Sequence, residues 1–198
     1  MPKEIISHCE PFQLFTTWLK DAQNNQQIIE PTAMNLATVH DNKPSSRMVL
    51  LKKFDERGFC FFTNLTSRKG GELKGNQNVA LCFYWGILGR QVRIEGVVEK
   101  VTIKEADDYF ASRRRGSQIG AWASKQSSEM ESEQEFLDRI KQIEDNFKDQ
   151  EIPRPPFWSG FRCQPQMIEF WEEGDFRLHK RTVYKKADGG WEVVRLYP

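Results

Sequence analysis

The sequence has little of what a membrane protein, a metalloprotein or a disulfide-bonded protein requires. Its longest apolar run, at residues 79–88, is too short to cross a bilayer. The 4 cysteines lie far apart with no paired spacing, and only 3 histidines are present, so we expect neither a metal site nor a disulfide framework. No charged and then apolar leader opens the chain, so we expect no signal peptide and a cytoplasmic protein.

The chain also lacks a strong net charge. Its 198 residues include 29 Lys and Arg against 28 Asp and Glu, which leaves a formal net charge of +1. General binding to nucleic acid or to a membrane surface needs a summed positive field, so we expect neither partner. HExxH, GxSxG and P-loop motifs are absent from the sequence. If the chain is an enzyme, a bound cofactor is therefore expected to carry the chemistry.

What the sequence does contain is a series of strand patterns joined by turns, interrupted by a helical stretch. We predict strands at 33–40, 46–53, 58–63, 78–85, 90–101, 166–171, 175–186 and 191–196, and helices after Pro11 and at 66–74, 104–113, 117–124 and 131–148. Short connections between the strands favour antiparallel hairpins. The predicted fold class is mostly β with α, an antiparallel barrel with helices packed outside it, in a single domain over residues 1–198.

Three cationic clusters are candidate ligand sites. On the predicted strand 175–186, Arg177, His179 and Arg181 point the same way, which fits either an anionic ligand or a solvated strand edge. Residues 67–71 lie where a helix is predicted to begin, so they form either a phosphate site or a plain surface turn. Residues 112–118 contain three consecutive arginines, which suit a small phosphorylated ligand better than nucleic acid.

Eight sequence motifs in order carry a resemblance to a known family. They are RMVLLK at 47–52, FFTN at 61–64 with SRK at 67–69, RQVRIEG at 90–96, SQIGA at 117–121, QSS at 126–128, IEFW at 168–171, RLH at 177–179 and RLYP at 195–198. With these motifs the chain resembles the pyridoxine (pyridoxamine) 5′-phosphate oxidase family from about residue 11 to the C terminus. The resemblance implies an antiparallel split β-barrel of the FMN-binding type with peripheral helices, and a homodimer with FMN bound between the subunits.

The resemblance also implies roles for individual residues. The FMN site falls on Arg47, Met48, Val49, Leu50, Leu51, Lys52, Phe62, Thr63, Arg68, Lys69, Gln91, Gln126, Ser127, Trp171 and Arg181, with Arg68 and Lys69 as the phosphate grip. The substrate phosphate falls on Lys52, Tyr109, Arg113 and Ser117. Arg177 and His179 are assigned as catalytic and substrate-binding residues that hold the pyridine ring against the flavin, and no metal is implied.

The implied reaction is the FMN-dependent oxidation of pyridoxamine 5′-phosphate and pyridoxine 5′-phosphate to pyridoxal 5′-phosphate. Dioxygen is reduced to hydrogen peroxide, and the pathway is vitamin B6 salvage. Two alternatives stay open: a phenazine-type flavin oxidase of the same fold, and a split-barrel protein that holds flavin or pyridoxal phosphate without turnover. The four residues assigned to the substrate phosphate favour a phosphorylated vitamer over the first. The presence of both Arg177 and His179 counts against the second.

The chain departs from the family pattern at Lys180, where Asp is usual, at Arg114, where Pro is usual, and at Tyr197, where Ala is usual. On the predicted strand, Lys180 faces away from Arg177 and His179, so we expect the site to survive while a neighbouring or subunit contact changes. The chain begins close to its first helix, so we expect no N-terminal arm over the substrate.

Overall fold

The structure is a computed structural model that describes residues 5–198. Its helices are α1 (Glu10–Asn24), α2 (Arg68–Gly75), α3 (Ile103–Ala111), α4 (Arg115–Ala123) and α5 (Glu133–Asn146). Its strands are β1 (Ile5–Ile6), β2 (Ala33–His40), β3 (Lys43–Leu50), β4 (Lys53–Asp55), β5 (Gly58–Asn64), β6 (Asn78–Trp85), β7 (Arg90–Lys100), β8 (Trp158–Glu172), β9 (Lys180–Ala187) and β10 (Gly190–Leu196). Within the described range, no helix is both long enough and apolar enough to cross a membrane.

The strands pair antiparallel and close into a barrel. β3 leads directly into β4, which pairs with β5, and β5 pairs with β8. β8 pairs with β7, β7 with β6, and β6 with β2, which returns to β3. On the outer side of β8, the sheet continues through β9 and β10 to β1. This is the predicted antiparallel split barrel with peripheral helices, whereas a single domain over residues 1–198 stays a prediction.

The barrel splits at β8, because this long strand changes partner halfway along. Its first half, from Trp158, pairs with β5, and its second half, from Met167, pairs with β9, while β7 follows both halves. A register shift between β7 and β8 lies next to Gly96. A Cβ atom on Gly96 would lie 2.1 Å from the carbonyl oxygen of Gln164, so only glycine allows the two strands to approach this closely.

Helix α1 covers the aromatic core of the barrel. Its buried side chains recur at the spacing of one helix face, and they are Phe12, Phe15, Trp18, Leu19 and Ala22. The Phe15 ring centroid lies 4.9 Å from that of Phe54, 5.0 Å from that of Phe59 and 5.1 Å from that of Phe83. These three rings come from β4, β5 and β6, so one aromatic side chain ties α1 to three strands of the barrel.

The predicted strand at 175–186 is wrong in its first part, because β9 begins only at Lys180. A short 3-10 turn occupies Asp175–Arg177, and Phe176 and Arg177 have φ angles of 53° and 65°. Left-handed backbone cannot continue a β-strand. The prediction that Arg177, His179 and Arg181 share one strand face by alternation is therefore wrong, as is the strand argument about the direction of Lys180.

The strand predicted at 46–53 ends at Leu50 and is followed by the separate strand β4, and two strand starts differ from the predictions for local reasons. The hairpin between β2 and β3 has a two-residue turn in which Asp41 and Asn42 have φ angles of 49° and 58°, typical of a type I′ turn. β3 consequently begins at Lys43 rather than at residue 46. β8 begins at Trp158 rather than at residue 166, and Pro165 lies inside it, next to the register shift, where proline is tolerated.

Candidate active site

A cleft with a volume of about 530 Å³ is lined by residues of the barrel, of helices α2, α3 and α4, and of the segments that follow α3 and α4. It brings together most of the residues that the resemblance assigns to ligands: Arg47, Met48, Val49, Leu50, Lys52, Phe62, Thr63, Lys69, Tyr109, Arg113, Ser117 and Gln126. The chain segments between these residues are long, so it is the closure of the barrel that makes them neighbours. We refer to this cavity and its lining residues as the cleft.

The cleft is cationic. Arg47, Lys52, Lys69 and Arg113 line it, and no Asp or Glu occurs among its described lining residues. The Lys69 ammonium donates to Thr63 Oγ1 at 3.1 Å and to the Gln126 side-chain oxygen at 3.0 Å, and both acceptors are neutral. Burial, and then the nearby charge of Arg47, lower the pKa of Lys69. A partly buried set of cations without a lining carboxylate is suited to an anionic ligand.

Arg113, which also lines the cleft, is held by an aromatic cluster. Its guanidinium carbon lies 5.0 Å from the centre of the Trp158 ring and 5.6 Å from that of Phe110. Among the described residues, the buried Nη1 atom of Arg113 has no hydrogen-bond partner, and burial lowers the pKa of this residue. Tyr109 stacks on Phe62 at 4.1 Å beside it. The site therefore holds an oriented cation with an unused N–H donor, and Trp158, which supports it, is not among the predicted residues.

Behind the cleft lies a carboxylate that the sequence analysis missed. Glu72 Oε2 accepts hydrogen bonds from Thr38 Oγ1 at 2.6 Å and Arg47 Nη2 at 2.8 Å. Glu72 Oε1 accepts from Arg68 Nε at 2.9 Å, and Ser45 Oγ lies 2.9 Å from both carboxylate oxygens. Burial alone would raise the pKa of Glu72, but these hydrogen bonds outweigh it and lower the pKa to about 2. The spacing of Arg68 and Glu72, four residues apart on α2, is the signal that could have revealed it.

Three residues assigned to FMN lie beside the cleft rather than in its lining. Leu51 is buried in the hydrophobic core. Arg68 is 70% exposed and turns towards Glu72. Ser127, with a φ angle of 71°, lines a neighbouring hollow of about 360 Å³ that also includes Gln126.

The remaining assigned residues form a second group near the C terminus. Gln91, Trp171 and Arg181 are directly opposite one another on β7, β8 and β9, so their side chains share one face of the sheet. The His179 ring lies 4.6 Å from the Trp171 ring. Arg181 Nε donates to Oε1 of the buried Glu169 at 2.7 Å. We call Gln91, Trp171, His179 and Arg181 the C-terminal row.

A tight turn sets the position of His179 and Arg177. The backbone N–H of Gly174 donates to His179 Nδ1 at 3.3 Å, so the neutral imidazole carries its proton on Nε2. A Cβ atom on Gly174 would lie 2.3 Å from the carbonyl oxygen of Leu178, which makes glycine necessary for this turn. Arg177 is exposed at the tip of the turn, next to the C-terminal row.

The residues that depart from the family pattern lie at the edges of these groups. Lys180 pairs with Glu172 on the neighbouring strand at 3.1 Å. The carbonyl oxygen of Tyr197 accepts a hydrogen bond from Arg181 Nη1 at 3.2 Å, while 94% of the Tyr197 side chain is exposed. Arg114 is an exposed residue at the start of α4 and makes no side-chain cap there.

Within one chain, the cleft and the C-terminal row are separate. In the sheet, β6 and β2 lie between β7, which carries Gln91, and β3, which carries Arg47. On β8, Trp158 lines the cleft, whereas Trp171 lies near the other end of the strand. None of the four members of the C-terminal row lines the cleft. The assigned residues therefore form two half-sites rather than one.

Comparison with known proteins agrees with this architecture. A split-barrel protein from Nostoc punctiforme, described as a pyridoxamine 5′-phosphate oxidase-related, FMN binding protein, has a TM-score of 0.76. It is 15% identical and covers 95% of this chain and 98% of its own, so the likeness concerns the fold alone. PhzG from Burkholderia lata, solved with tetrahydrophenazine-1-carboxylic acid, has a TM-score of 0.89 and 31% identity, and covers 95% of this chain and 92% of its own. The barrel thus places the protein in the FMN-binding type of split-barrel fold.

The sequence comparisons are more specific. Residues 21–147 match the family described as pyridoxamine 5′-phosphate oxidase, and residues 158–198 match the pyridoxine 5′-phosphate oxidase C-terminal dimerisation region. The chain is 53% identical to the pyridoxine/pyridoxamine 5′-phosphate oxidase of Sinorhizobium fredii, covering 96% of this chain and 93% of that protein. Identity to the Caulobacter vibrioides protein of the same name is 50%, covering 100% of this chain and 89% of that protein. The chain belongs to the pyridoxamine 5′-phosphate oxidase family and is an enzyme of the oxidoreductase class.

Proposed function

We propose that this chain binds FMN and oxidises pyridoxamine 5′-phosphate and pyridoxine 5′-phosphate to pyridoxal 5′-phosphate. The second substrate is dioxygen, which is reduced to hydrogen peroxide; with the amine substrate, water is also consumed and ammonia is released, and the reaction serves vitamin B6 salvage. The observation that carries the proposal is the cleft itself, in which four cations meet and none of the described lining residues is a carboxylate. Relatives about 50% identical over nearly the whole chain carry the corresponding oxidase name.

The residues of the cleft suit two phosphorylated ligands. At one end, Arg47 and Lys69 would hold the phosphate of FMN, because both line the cleft and both are anchored by neighbouring side chains. At the other end, Arg113, with its unused buried N–H, would hold the substrate phosphate together with Lys52 and other residues assigned to it. Two anionic ligands explain why a chain with a net charge of +1 concentrates cations in one place.

When bound, FMN would accept a hydride from the substrate carbon beside the pyridine ring and pass the electrons to dioxygen. The protein then has to orient the ring and complement charge, and it needs no nucleophile of its own. His179, with its proton on Nε2, offers a donor to the substrate, and Arg177 offers a positive charge. Tyr109 and Ser117 line the substrate end of the cleft, where their hydroxyl groups would orient the phosphate.

The division into two half-sites supports a homodimer in which each active site uses both chains. Residues 158–198, which contain Trp171, His179 and Arg181, match a dimerisation region. Next to them, Phe176 and Tyr197 are each 94% exposed, which is unusual for aromatic side chains unless another surface covers them. We infer that the C-terminal row of one subunit faces the cleft of its partner and that FMN lies between them.

The second candidate is a phenazine-type flavin oxidase, because PhzG matches 95% of the chain at 31% identity. The tetrahydrophenazine-1-carboxylic acid bound to PhzG carries a single carboxylate of charge −1, whereas a phosphate monoester carries about −1.5 to −2 and is better matched to Lys52 and Arg113 together. The cleft therefore favours the phosphorylated vitamer. A binding protein without turnover, the third alternative, would have no use for Arg177 and His179 together on one turn.

An anaerobic titration tests the proposal. The purified protein is loaded with FMN, pyridoxamine 5′-phosphate is added without oxygen, and the visible flavin absorption is followed. We expect bleaching that is reversed by air, with appearance of pyridoxal 5′-phosphate and hydrogen peroxide. Bound flavin that stays oxidised with this substrate, and with pyridoxine 5′-phosphate, would contradict the proposal. Bleaching by a dihydrophenazine carboxylic acid instead would support the second candidate.

A further inference from the structure

Glu72 lies directly behind the cationic end of the cleft. Its side chain is 7% exposed, and its partners are all hydrogen-bond donors: the hydroxyl groups of Thr38 and Ser45 and the guanidinium groups of Arg47 and Arg68. Each oxygen accepts from a different arginine, Oε2 from Arg47 and Oε1 from Arg68. One carboxylate thus links β3, which carries Arg47, to α2, which carries Arg68 and Lys69.

The net charge of the groups around this carboxylate is complementary to the charge of a phosphate monoester. Arg47, Arg68 and Lys69 contribute three positive charges, and Glu72 contributes one negative charge. The hydrogen bonds to Glu72 keep it ionised at neutral pH. The group has a net charge of +2, and a phosphate monoester carries about −1.5 to −2 at pH 7.

We propose that Glu72 is a positioning residue that holds Arg47 and Arg68 in the geometry required for the cofactor phosphate. The proposal rests on the proposed function, because it takes the bound phosphate to be that of FMN. It assigns to Glu72 selectivity for the phosphorylated flavin over the unphosphorylated one. The proposed role concerns the phosphate of FMN and not its isoalloxazine ring.

The physical reason is the cost of fixing long side chains. An arginine loses rotamer freedom when it binds an anion, and a partner that fixes the side chain beforehand removes that cost from binding. Arg68 is 70% exposed, so its ion pair with Glu72 is the contact that holds its guanidinium beside the cleft. Arg47 is 20% exposed and is held by Glu72, Ser45 and Thr38 together.

Two substitutions remove this function in different ways. In Glu72→Gln, one oxygen becomes an NH2 group that must face donors, so Arg47 or Arg68 is released. In Glu72→Asp the charge stays, but the side chain is one methylene shorter and cannot reach both arginines. If positioning is the role, both variants lose phosphate selectivity, although the first makes the group more positive by one charge and the second leaves its charge unchanged.

The test measures the dissociation constants of FMN and riboflavin for the full-length apoprotein by quenching of flavin fluorescence. Glu105→Gln is the matched control, because Glu105 is a carboxylate with a pKa lowered to about 2 that pairs with Arg162 and does not line the cleft. We expect both Glu72 variants to reduce the preference for FMN over riboflavin by about tenfold or more. Riboflavin affinity should stay unchanged, as should the preference in Glu105→Gln.

The outcomes separate this inference from the proposed function. A wild-type protein that prefers FMN, together with Glu72 variants that keep the same preference, would overturn the role of Glu72 alone. A wild-type protein without preference for FMN would overturn both. A merely structural role would lower the melting temperature and weaken both flavins equally, which also contradicts the proposal. If Glu72→Gln does not fold, Glu72→Asp carries the test.

Discussion

The two half-sites of this protein differ in how completely one chain builds them. In the cleft, Arg47, Lys69 and Arg113 each contact partners from the same chain that fix their direction. In the C-terminal region, Arg177 is exposed on a left-handed turn and is not among the described lining residues of the cleft. The cleft is thus preorganised for anions within one chain, whereas we expect the end assigned to catalysis to depend on a second surface.

Both half-sites nevertheless use the same device. A buried carboxylate accepts from an arginine that is assigned to FMN: Glu72 accepts from Arg47, and Glu169 accepts from Arg181. Glu169 is 3% exposed and also accepts from Arg93 at 3.0 Å. Because buried carboxylates of this kind fix both arginines in place, Arg47 and Arg181 do not account for the difference between the half-sites. The difference lies in the surface opposite each half-site.

The largest effect is expected at the exposed turn. Arg177→Ala should lower turnover of pyridoxamine 5′-phosphate by about a hundredfold or more, because a group that orients the reacting ring is lost. FMN should remain bound, since the cleft is untouched. Steady-state kinetics with flavin absorption as the loading control checks both points. Unchanged turnover in this variant would refute the assigned role of Arg177.

A smaller effect, on affinity rather than turnover, is expected in the cleft. Lys69→Ala removes a charge that has only neutral partners, so the dissociation constant of FMN should rise about tenfold. Lys104→Ala, on the exposed face of α3, is the control and should leave it unchanged. Fluorescence titration measures the change. An unaltered constant for Lys69→Ala would remove Lys69 from the phosphate grip.

The turn at Gly174 is expected to affect turnover because its backbone N–H holds His179 in position. Gly174→Ala places a methyl group 2.3 Å from the carbonyl oxygen of Leu178, so the turn must open and the hydrogen bond to His179 lengthens. We expect a severalfold loss of turnover with FMN affinity kept. Gly116→Ala, where an added methyl group meets nothing within 4 Å, should not change turnover. Equal turnover in the two variants would argue against the turn as the support of His179.

The smallest effect is expected at Lys180, despite its departure from the family pattern. Its pair with Glu172 is exposed, so Lys180→Ala should change the free energy of unfolding by less than about 1 kcal/mol. Turnover should stay within twofold of the wild type, since such pairs contribute little at the surface. Denaturant unfolding and steady-state kinetics check the two values. A large loss of turnover would place Lys180 at a functional contact.

Much of the barrel could be predicted from sequence, because several of its strands, among them β2, β6 and β7, alternate between buried and less buried side chains. In β7, Val92 and Ile94 are buried, whereas Arg93 between them is not. The prediction of a strand at 175–186 was wrong in its first part for a physical reason. Phe176 and Arg177 adopt left-handed backbone without being glycine, and alternation of polar residues carries no sign of that.

The sequence indicated which residues could bind ligands, but not that they lie in two separate groups. The residue types at Lys69 and Arg113 signalled phosphate, but their separation from Trp171 and Arg181 depends on the order of strands in the sheet. Glu72 was missed because an acidic residue on a helix looks like a solvated charge until the fold places Arg47 and Thr38 against it.

The central claim, that each active site combines the cleft of one subunit with the C-terminal row of the other, is tested most directly with mixed dimers. Arg113→Ala and Arg177→Ala chains, each inactive alone, are co-expressed with different affinity tags, and the mixed dimer is isolated. One of its two sites then has both residues intact, so about half of the wild-type activity should return. Activity no higher than that of the separate variants would mean that each site is built within one chain and would contradict the account.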